Sequence, residues 1–465
     1  MIYSYTVPLL HIALAIAVSM HVLLTKRDAG SSVAWIGLAW LTPILGSILY
    51  LLLGINRVKR RALGLRRPRP PANSRRATAG KARDDHLAAL ECAGARITGR
   101  SVESGNSFAL LHNGDGAYPQ MLASIAAAQH SVVLSSYIFR ADRAGDEFIA
   151  ALIAARNRDV HVRVLIDGVG GGYFTSATYR RLRKGGVPVA RFLHSPLPWR
   201  MPVLNLRSHR KLLIVDGHLA YTGGLNIGAE NLLRLGPRHP VLDTHFRAQG
   251  PIVSQLMEVF AADWQFSAGE RLSGEMWFPS LAPEGDSVAR VITSGPDQDI
   301  EKIEFVILEA IACARSSIKI MTPYFLPDER TITALALAAF RGVEVDLVLP
   351  EHSNHPTVDW ATRVQVTPLL EAGCRLWTHP APFNHSKLMS VDGLWCLIGS
   401  ANWDVRSFRL NFELDLEVYH SQLVQEVNEL IGRQQVARLD AQQLATRALP
   451  LRLRDSAARL MVPYL

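Results

Sequence analysis

Residues 208–226 read SHRKLLIVDGHLAYTGGLN, and residues 384–402 read NHSKLMSVDGLWCLIGSAN. Laid over one another they share the pattern H-x-K-x4-D-x6-G-[GS]-x-N, with His209, Lys211, Asp216 and Asn226 in the first copy and His385, Lys387, Asp392 and Asn402 in the second. The histidines stand 176 residues apart, and so many fixed positions do not recur by chance. In an extended strand residues i and i+2 face the same side, so each histidine and its lysine can point into one pocket. Imidazole supplies a nucleophile or a proton near neutral pH, and lysine supplies a fixed positive charge for phosphate oxygens. One such pair binds an anion; two pairs can do acid–base work on a phosphodiester. A surface histidine and lysine on a strand edge explain either copy alone, but hardly both.

Outward from the two copies, the rest of the chain beyond about residue 105 also repeats. SVVLSSYIF at 131–139 parallels SSIKIMTPYF at 316–325, and AARNRDVHVRVLIDG at 154–168 parallels AAFRGVEVDLVLPE at 338–351. LRKGGVPVARF at 182–192 parallels LLEAGCRLWTH at 369–379, a helix closed by glycine before another strand. Helices alternating with apolar β-branched strands predict an α/β sandwich in each half. Two related halves pack about a pseudo-twofold axis, where a site can draw one motif from each.

The N-terminus is different in kind. Val7–Leu24 and Val33–Leu53 contain no Asp, Glu, Lys or Arg. As one helix the second would rise about 31 Å, against a hydrocarbon core of roughly 30 Å. The spacing predicts a two-helix membrane hairpin turning at Gly30–Ser32, and the absence of a basic start and a small-residue cleavage site argues against a removed signal peptide. His11 and His21 within it are expected to be neutral imidazoles bonded to the partner helix.

From Arg57 to Arg83 the chain carries 11 Lys or Arg and no acid. The loop between the spans offers Lys26 and Arg27, offset by Asp28, so the positive-inside rule predicts a cytoplasmic catalytic body. The formal charge of +9 and pI near 9.5 suggest a polyanionic partner, nucleic acid or an anionic membrane surface. Those 11 charges leave 39 basic against 41 acidic residues elsewhere, which argues against a nucleic-acid-binding body and for attraction to anionic lipid headgroups. The predicted organisation is a hairpin at 1–56, a polybasic linker at 57–104, a first α/β domain at 105–280 and a second at 281–465. Four scattered cysteines, Cys92, Cys313, Cys374 and Cys396, suit neither a disulfide framework nor a zinc site.

The paired motif resembles the HKD motifs of the phospholipase D superfamily, over roughly residues 105–440. With SSVAWIGLAWLTPILGSILYLLLGINR, RSHRKLLIVDG, GSANWDVRSFRLNFE and the closing RLMVPYL, the chain is similar to the bacterial cardiolipin synthases of that superfamily. The resemblance implies two phospholipase D-like α/β halves behind a transmembrane hairpin, in a multi-pass protein of the bacterial inner membrane. It implies phosphatidyl transfer between two phosphatidylglycerol molecules, giving cardiolipin and glycerol through a phosphohistidine, with no metal or other cofactor and no nucleic-acid partner. The catalytic motif is then His209, Lys211 and Asp216 with His385, Lys387 and Asp392. By carry-over His209 is the nucleophile and His385 the acid–base, in roles that a pseudo-twofold makes nearly exchangeable, while Asp216 and Asp392 take a structural part at the strand ends. Lys211, Lys387, Asn226, Asn402 and Ser400 would hold the phosphate oxygens. Asp243 and Glu413, at equivalent places downstream of the two motifs, would each accept the δ-nitrogen proton of an imidazole. The chief departure from the repeat is Gly224 where the second copy has Ser400.

Other readings stay open at this level. A lipid hydrolase differs only in admitting water to the intermediate. A membrane-tethered nuclease fits the paired motif but has no need of a hairpin, and a lipid-binding scaffold has no need of a nucleophile. HSPLPWRMPVLNLR at 194–207, with Trp199 and Met201, and GEMWFPSL at 274–281, with Trp277, are apolar enough either to enter the membrane interface or to pack under a loop. Tyr137 and Tyr324, at equivalent strand ends, are candidates to line the pocket. Oligomeric state is not encoded in any of these features.

Overall fold

The computed structural model describes residues 2–25, 29–42, 44–54, 86–194 and 206–462. The polybasic stretch 57–83, the inter-span residues 26–28, Trp199, Met201 and the last three residues lie outside these. The chain divides into two compact units, Met1–Leu65 and Arg66–Leu465.

In the first unit a 24-residue helix, Ile2–Thr25, contains the one stretch among the described residues that is long and apolar enough to cross a bilayer as a single helix, Thr6–Thr25, with a mean hydropathy of 2.2. It packs against a second helix, Ala29–Leu41. The second apolar segment is not the continuous helix its hydropathy predicts. It stops at Leu41 and resumes as Leu45–Leu49 and a π-turn at Tyr50–Gly54, with Ile44 at φ 62°. The interruption surrounds position 43, a proline: it has no N–H for a helix ladder and disfavours helical geometry in the residue before it. Polar groups between the helices are paired. His11 Nε2 lies 3.2 Å from the Trp40 carbonyl, His21 Nδ1 lies 2.6 Å from the Tyr50 hydroxyl, and Trp40 Nε1 donates to Ser19 Oγ at 3.0 Å. In an apolar medium each such bond avoids an unsatisfied polar group, and this is the pairing expected for His11 and His21.

The second unit is a mixed α/β body whose strand order is written twice. From the outside inward, the first half runs Val189–Phe192, His161–Asp167, Ser131–Ser136, Leu212–Val215, Leu219–Gly223, Thr244–Gln249 and Glu103–His112. The second half runs Arg375–His379, Glu344–Pro350, Ser317–Met321, Leu388–Val391, Trp395–Gly399, Asn411–Tyr419 and Ser287–Ser294, with Ala437–Leu439 added at its outer edge. The halves join where Glu103–His112 meets Ser287–Ser294 antiparallel, Glu103 opposite Ala289 and Asn106 opposite Ser287. Strands at Ser131–Ser136 and Leu212–Val215 are wholly buried, as are Leu388–Val391 and Trp395–Gly399, which is why these segments read as apolar runs and not as alternation.

Helices on these strands repeat too. Arg143–Asn157 begins at Asp142, whose side chain accepts from Gly145 N, and Glu329–Phe340 begins at Asp328, which accepts from Arg330 N and Thr331 N. Each half buries its own apolar cluster, one around Phe148, Leu152, Val164 and Leu213, the other around Ile307, Leu335, Leu347 and Trp395. Trp277 belongs inside: it is buried with Arg163 over its ring at 5.5 Å, so the 274–281 segment packs as a cover and does not offer that ring to a membrane. The four cysteines are free.

Candidate functional site

Each motif strand presents its histidine and aspartate at opposite ends. Leu212–Val215 lies between His209 and Asp216, and Leu388–Val391 between His385 and Asp392, so the two groups are about 23 Å apart along an extended chain of seven residues. At the far end Asp216 has φ 50° and accepts from the backbone N–H groups of Gln129, His130 and Ser131 at 2.7–3.0 Å. Asp392, at φ 52°, accepts from those of Arg315, Ser316 and Ser317 at 2.7–2.8 Å, from Ser316 Oγ at 2.8 Å and from His86 Nε2 at 2.6 Å. Grouping the two aspartates with the catalytic residues is therefore corrected: they close loops away from the histidines.

At the near end the halves exchange partners. The two-residue strand Arg207–Ser208 runs parallel to Asn411–Phe412 of the other half, and Phe383–Asn384 runs parallel to Val241–Leu242. These ladders continue into the histidines: His209 N donates to Phe412 O at 2.9 Å, and His385 N donates to Leu242 O at 2.7 Å. The next residue along each partner strand is a carboxylate. His209 Nδ1 lies 2.9 Å from Glu413 Oε2, and His385 Nδ1 lies 2.9 Å from Asp243 Oδ2. Each histidine of one half is thus held by the acid of the other. With Nδ1 carrying the proton toward the carboxylate, Nε2 keeps its lone pair. The rings meet edge to face, with centroids 6.3 Å apart and planes at 83°.

The lysines follow the i+2 geometry read from the sequence. Lys211 Nζ donates to the carbonyl of His209 at 2.7 Å and stands over the ring of Tyr137, 5.6 Å from its centroid. Lys387 Nζ donates to the carbonyl of His385 and lies 2.9 Å from that residue's Nδ1. Both are buried, and burial pulls their ammonium groups down, Lys211 to about 7 and Lys387 to about 8. The imidazoles are likewise held neutral by burial and by the neighbouring lysine charges, His385 down to about 3 and His209 well below the ordinary histidine value. Burial pushes Glu413 up to about 7 against the pull of Lys211, and Asp415 behind it up to about 8. The whole cluster is short of negative charge it could accommodate: an entering phosphodiester would restore protons to the lysines and make a protonated imidazole cheaper.

The remaining predicted residues divide. Asn226 and Asn402 line a cleft of about 1300 Å³ together with both histidines, Asp243, Tyr137 and Tyr324. Ser400 does not reach it. Its hydroxyl donates to Glu413 Oε2 at 2.6 Å and accepts from Leu414 N at 3.0 Å, so its predicted contact with phosphate is corrected to fixing the carboxylate behind His209. Gly224 at the equivalent place has a matching cause. A Cβ there would sit 2.0 Å from Asp243 Oδ1, so the half with no side chain at this place leaves room for its acid.

Sequence reading missed three features. Arg210, the variable position of the first motif, is buried, its Nη1 donating to both carboxylate oxygens of Asp263 at 2.8 and 2.6 Å and its Nε to the Glu413 carbonyl at 3.0 Å. Nothing local joins residues 210 and 263. Arg207 and Arg406 also line the cleft; the first could have been found, because it precedes His209 by two on the same strand face. On the other wall, Leu326, Val358, Pro382 and Phe383 are apolar.

A duplicated α/β body with two facing histidines, each backed by a carboxylate and accompanied by a lysine, defines a phosphodiester-handling protein of phospholipase D type. The chain belongs to the cardiolipin synthase family: residues 121–264 and 307–434 match the family described as cardiolipin synthase, PLD-like domain, and residues 13–54 match the phospholipase D-nuclease N-terminal family. It is 32% identical to the cardiolipin synthase of Geobacillus kaustophilus, covering 97% of this chain and 92% of the relative. It is also 32% identical to the major cardiolipin synthase ClsA of Bacillus subtilis, covering 98% of each. In fold it is similar to the phosphatidylserine synthase of Haemophilus influenzae, with a TM-score of 0.59 at 15% identity over 77% of this chain and 95% of that one. Family membership and the apolar N-terminal helix make it a membrane protein.

Proposed function

We propose that the paired histidines carry out the reaction of a cardiolipin synthase, in which one phosphatidylglycerol gives its phosphatidyl group to a second, forming cardiolipin and releasing glycerol. That activity is supported by the full-length relatives. The observation that carries the mechanism is the crossed His209–Glu413 and His385–Asp243 pairing about a 6.3 Å ring separation.

Phosphatidylglycerol enters with its phosphodiester between the rings. His209 Nε2 attacks phosphorus, forming an N–P bond as the P–O bond to the head glycerol breaks; His385, taken up to the imidazolium by the charge of the bound phosphodiester and by Asp243, gives that oxygen its Nε2 proton and returns to the neutral ring. Glycerol leaves. The hydroxyl of the second phosphatidylglycerol then loses its proton to His385 Nε2 and attacks phosphorus, and the N–P bond returns its electrons to His209. Glu413 and Asp243 steady the positive charge that each imidazole acquires. Lys211, Lys387, Asn226 and Asn402 hold the nonbridging oxygens as charge builds on them. Hydrolysis would differ only in the second nucleophile.

The remaining proposals concern setting. We assign residues 105–280 and 281–465 to two halves of one catalytic body, on the cytoplasmic side of a multi-pass hairpin, because the basic residues follow the second apolar segment. Nucleic acid is not proposed as a ligand, since the chain outside 57–83 carries 39 bases and 41 acids. Detergent-solubilised protein given phosphatidylglycerol alone should yield cardiolipin and glycerol in equal amounts. Phosphatidic acid as the sole lipid product would replace the synthase with a hydrolase.

A further inference from the structure

The second half of the proposed reaction brings a difficulty that hydrolysis does not. The acceptor is itself a phospholipid, so a second phosphodiester must enter a low-dielectric cleft beside the first, and the repulsion between them needs a cation of its own. The lysines that follow the histidines are already committed to the reacting phosphate in that scheme.

Comparing the two halves position by position locates a further pair of cations. Arg207 stands two residues before His209, where the other half has Phe383 before His385. Arg406 stands four residues after Asn402, where the first half has Glu230 after Asn226, paired with Arg140 at 2.8 Å. The fold accepts an aromatic ring and a carboxylate at these places, so it does not demand arginine at either. Crossed pairing then brings the two arginines to the same side. Arg207 is in register with Asn411, two residues beyond the short helix Val405–Arg409 that carries Arg406. Both are half-buried and both line the cleft. Arg207 Nη1 donates to Tyr137 OH at 3.3 Å, and the Tyr137 ring in turn stands edge-on to His209, centroids 5.0 Å apart.

The two guanidinium groups feel one another: burial first, then the charge of Arg207, lowers the pKa of Arg406. Nearby carboxylates are engaged with backbone N–H groups, Asp167 with Val169, Gly170 and Ser208 at 2.7–2.8 Å, Asp404 with Ser407 at 2.6 Å. Burial raises both carboxyls above their ordinary value, while Asp167 feels the charge of Arg207 and Asp404 that of Arg406. Residues i and i+2 of a strand are about 6.6 Å apart, a distance of the order of the glycerol bridge between the two phosphates of the product.

We propose that Arg207 and Arg406 form a second anion subsite that holds the phosphate of the acceptor phospholipid while its glycerol hydroxyl meets the phosphohistidine. This rests on the synthase reading above. Arginine suits it, because a guanidinium fork can take two oxygens of one phosphate.

A neutral alcohol separates this subsite from the rest of the machinery. Protein in mixed micelles of phosphatidylglycerol is given radiolabelled glycerol, which regenerates labelled phosphatidylglycerol from the phosphohistidine without a second phosphate. In Arg207→Gln and Arg406→Gln the ratio of cardiolipin formed to glycerol exchanged is expected to fall at least tenfold. An unchanged ratio, whether both reactions drop together or neither does, would overturn the subsite. Arg207→Lys and Arg406→Lys repeat the measurement where a Gln variant is too unstable to assay, and there too the ratio must fall. A wild-type protein that exchanges glycerol yet makes no cardiolipin would instead defeat the synthase reading.

Discussion

The halves of the catalytic body differ most where their histidines are held from behind. His209 leans on Glu413, whose carboxylate takes hydrogen bonds from Ser400 Oγ and from Asn411 Nδ2 at 3.1 Å. His385 leans on Asp243, one methylene shorter, which accepts from Thr244 N at 2.8 Å and sits against a glycine. Glu with Ser and Asp with Gly are two solutions to one distance, 2.9 Å from carboxylate to Nδ1. Duplication has kept the separation and let the parts vary. Because each solution serves the other half's histidine, neither half has a complete set of groups, and the comparison can be broken at four levels.

The largest effect falls on the histidines themselves. His209→Ala and His385→Ala should each lose turnover by at least ~10³-fold, since each removes a covalent or proton-transfer role. Full activity in either variant would end the shared-site mechanism. The roles separate in a single turnover with phosphorus-labelled phosphatidylglycerol. His385→Ala should retain label on His209, slowly formed, and His209→Ala should retain none. Label mapped to His385 in the wild type would reverse the assignment.

One level down, the backing groups should cost tens of times. Asp243→Asn and Glu413→Gln keep shape but lose the charge that steadies the imidazolium, and ~10- to 100-fold in kcat is expected for each. Gly224→Ser should behave like Asp243→Asn, because its Cβ would meet Asp243 Oδ1 at 2.0 Å and push the carboxylate off His385. Ser400→Ala should be milder, several-fold, since Asn411 still holds the other oxygen of Glu413. If Gly224→Ser matches Ser400→Ala, the two solutions are interchangeable after all.

The lysines set the pH response. In the free enzyme Lys211 loses its proton near 7 and Lys387 near 8, and only the charged forms attract the phosphodiester. As pH rises through this range kcat/KM should therefore fall, by about tenfold per unit once one proton is lost. A bound anion favours the charged lysines, so kcat should stay level to higher pH. A kcat/KM that climbs from pH 7 to 9 would contradict the lysines' place in binding.

How much of this lay open in the sequence depends on the range over which each feature is encoded. The histidines, lysines and asparagines recur at fixed spacing, and the apolar strands around Leu212–Val215 and Leu388–Val391 recur with them, so the α/β class and the pairing of two motifs could be read directly. Asp243 and Glu413 could be matched as equivalents, but not as partners across the halves, because strand-level periodicity carries no information about which chain segment lies opposite. Arg210 with Asp263 was invisible for the same reason. Ser400 was misjudged because its neighbours in sequence approach phosphate while its own side chain turns inward to Glu413. In the N-terminal unit, hydropathy averaged over 21 residues hid one proline.

The smallest effect on activity should come from two residues that both copies of the pattern share, its aspartates. Asp216 and Asp392 each gather three backbone N–H groups at the far end of a motif strand, and Asp392 adds Ser316 Oγ and His86. Replacing either by Asn swaps a charged acceptor for a neutral one and turns a donor toward N–H groups that need acceptors. A cost of about 1–3 kcal/mol in stability is expected, larger at Asp392 with its two extra partners, while kcat of the folded fraction stays near that of the parent. The sign with pH is fixed. Those hydrogen bonds hold the Asp392 carboxyl down at about 2, below its ordinary 3.8, so its contribution is complete above that ordinary value and disappears as pH falls toward 2. Thermal melts of parent and Asp392→Asn should accordingly converge between pH 4 and pH 2. A loss of kcat at neutral pH with the melting temperature unmoved would return the aspartates to the chemistry, and with it the literal reading of the motif.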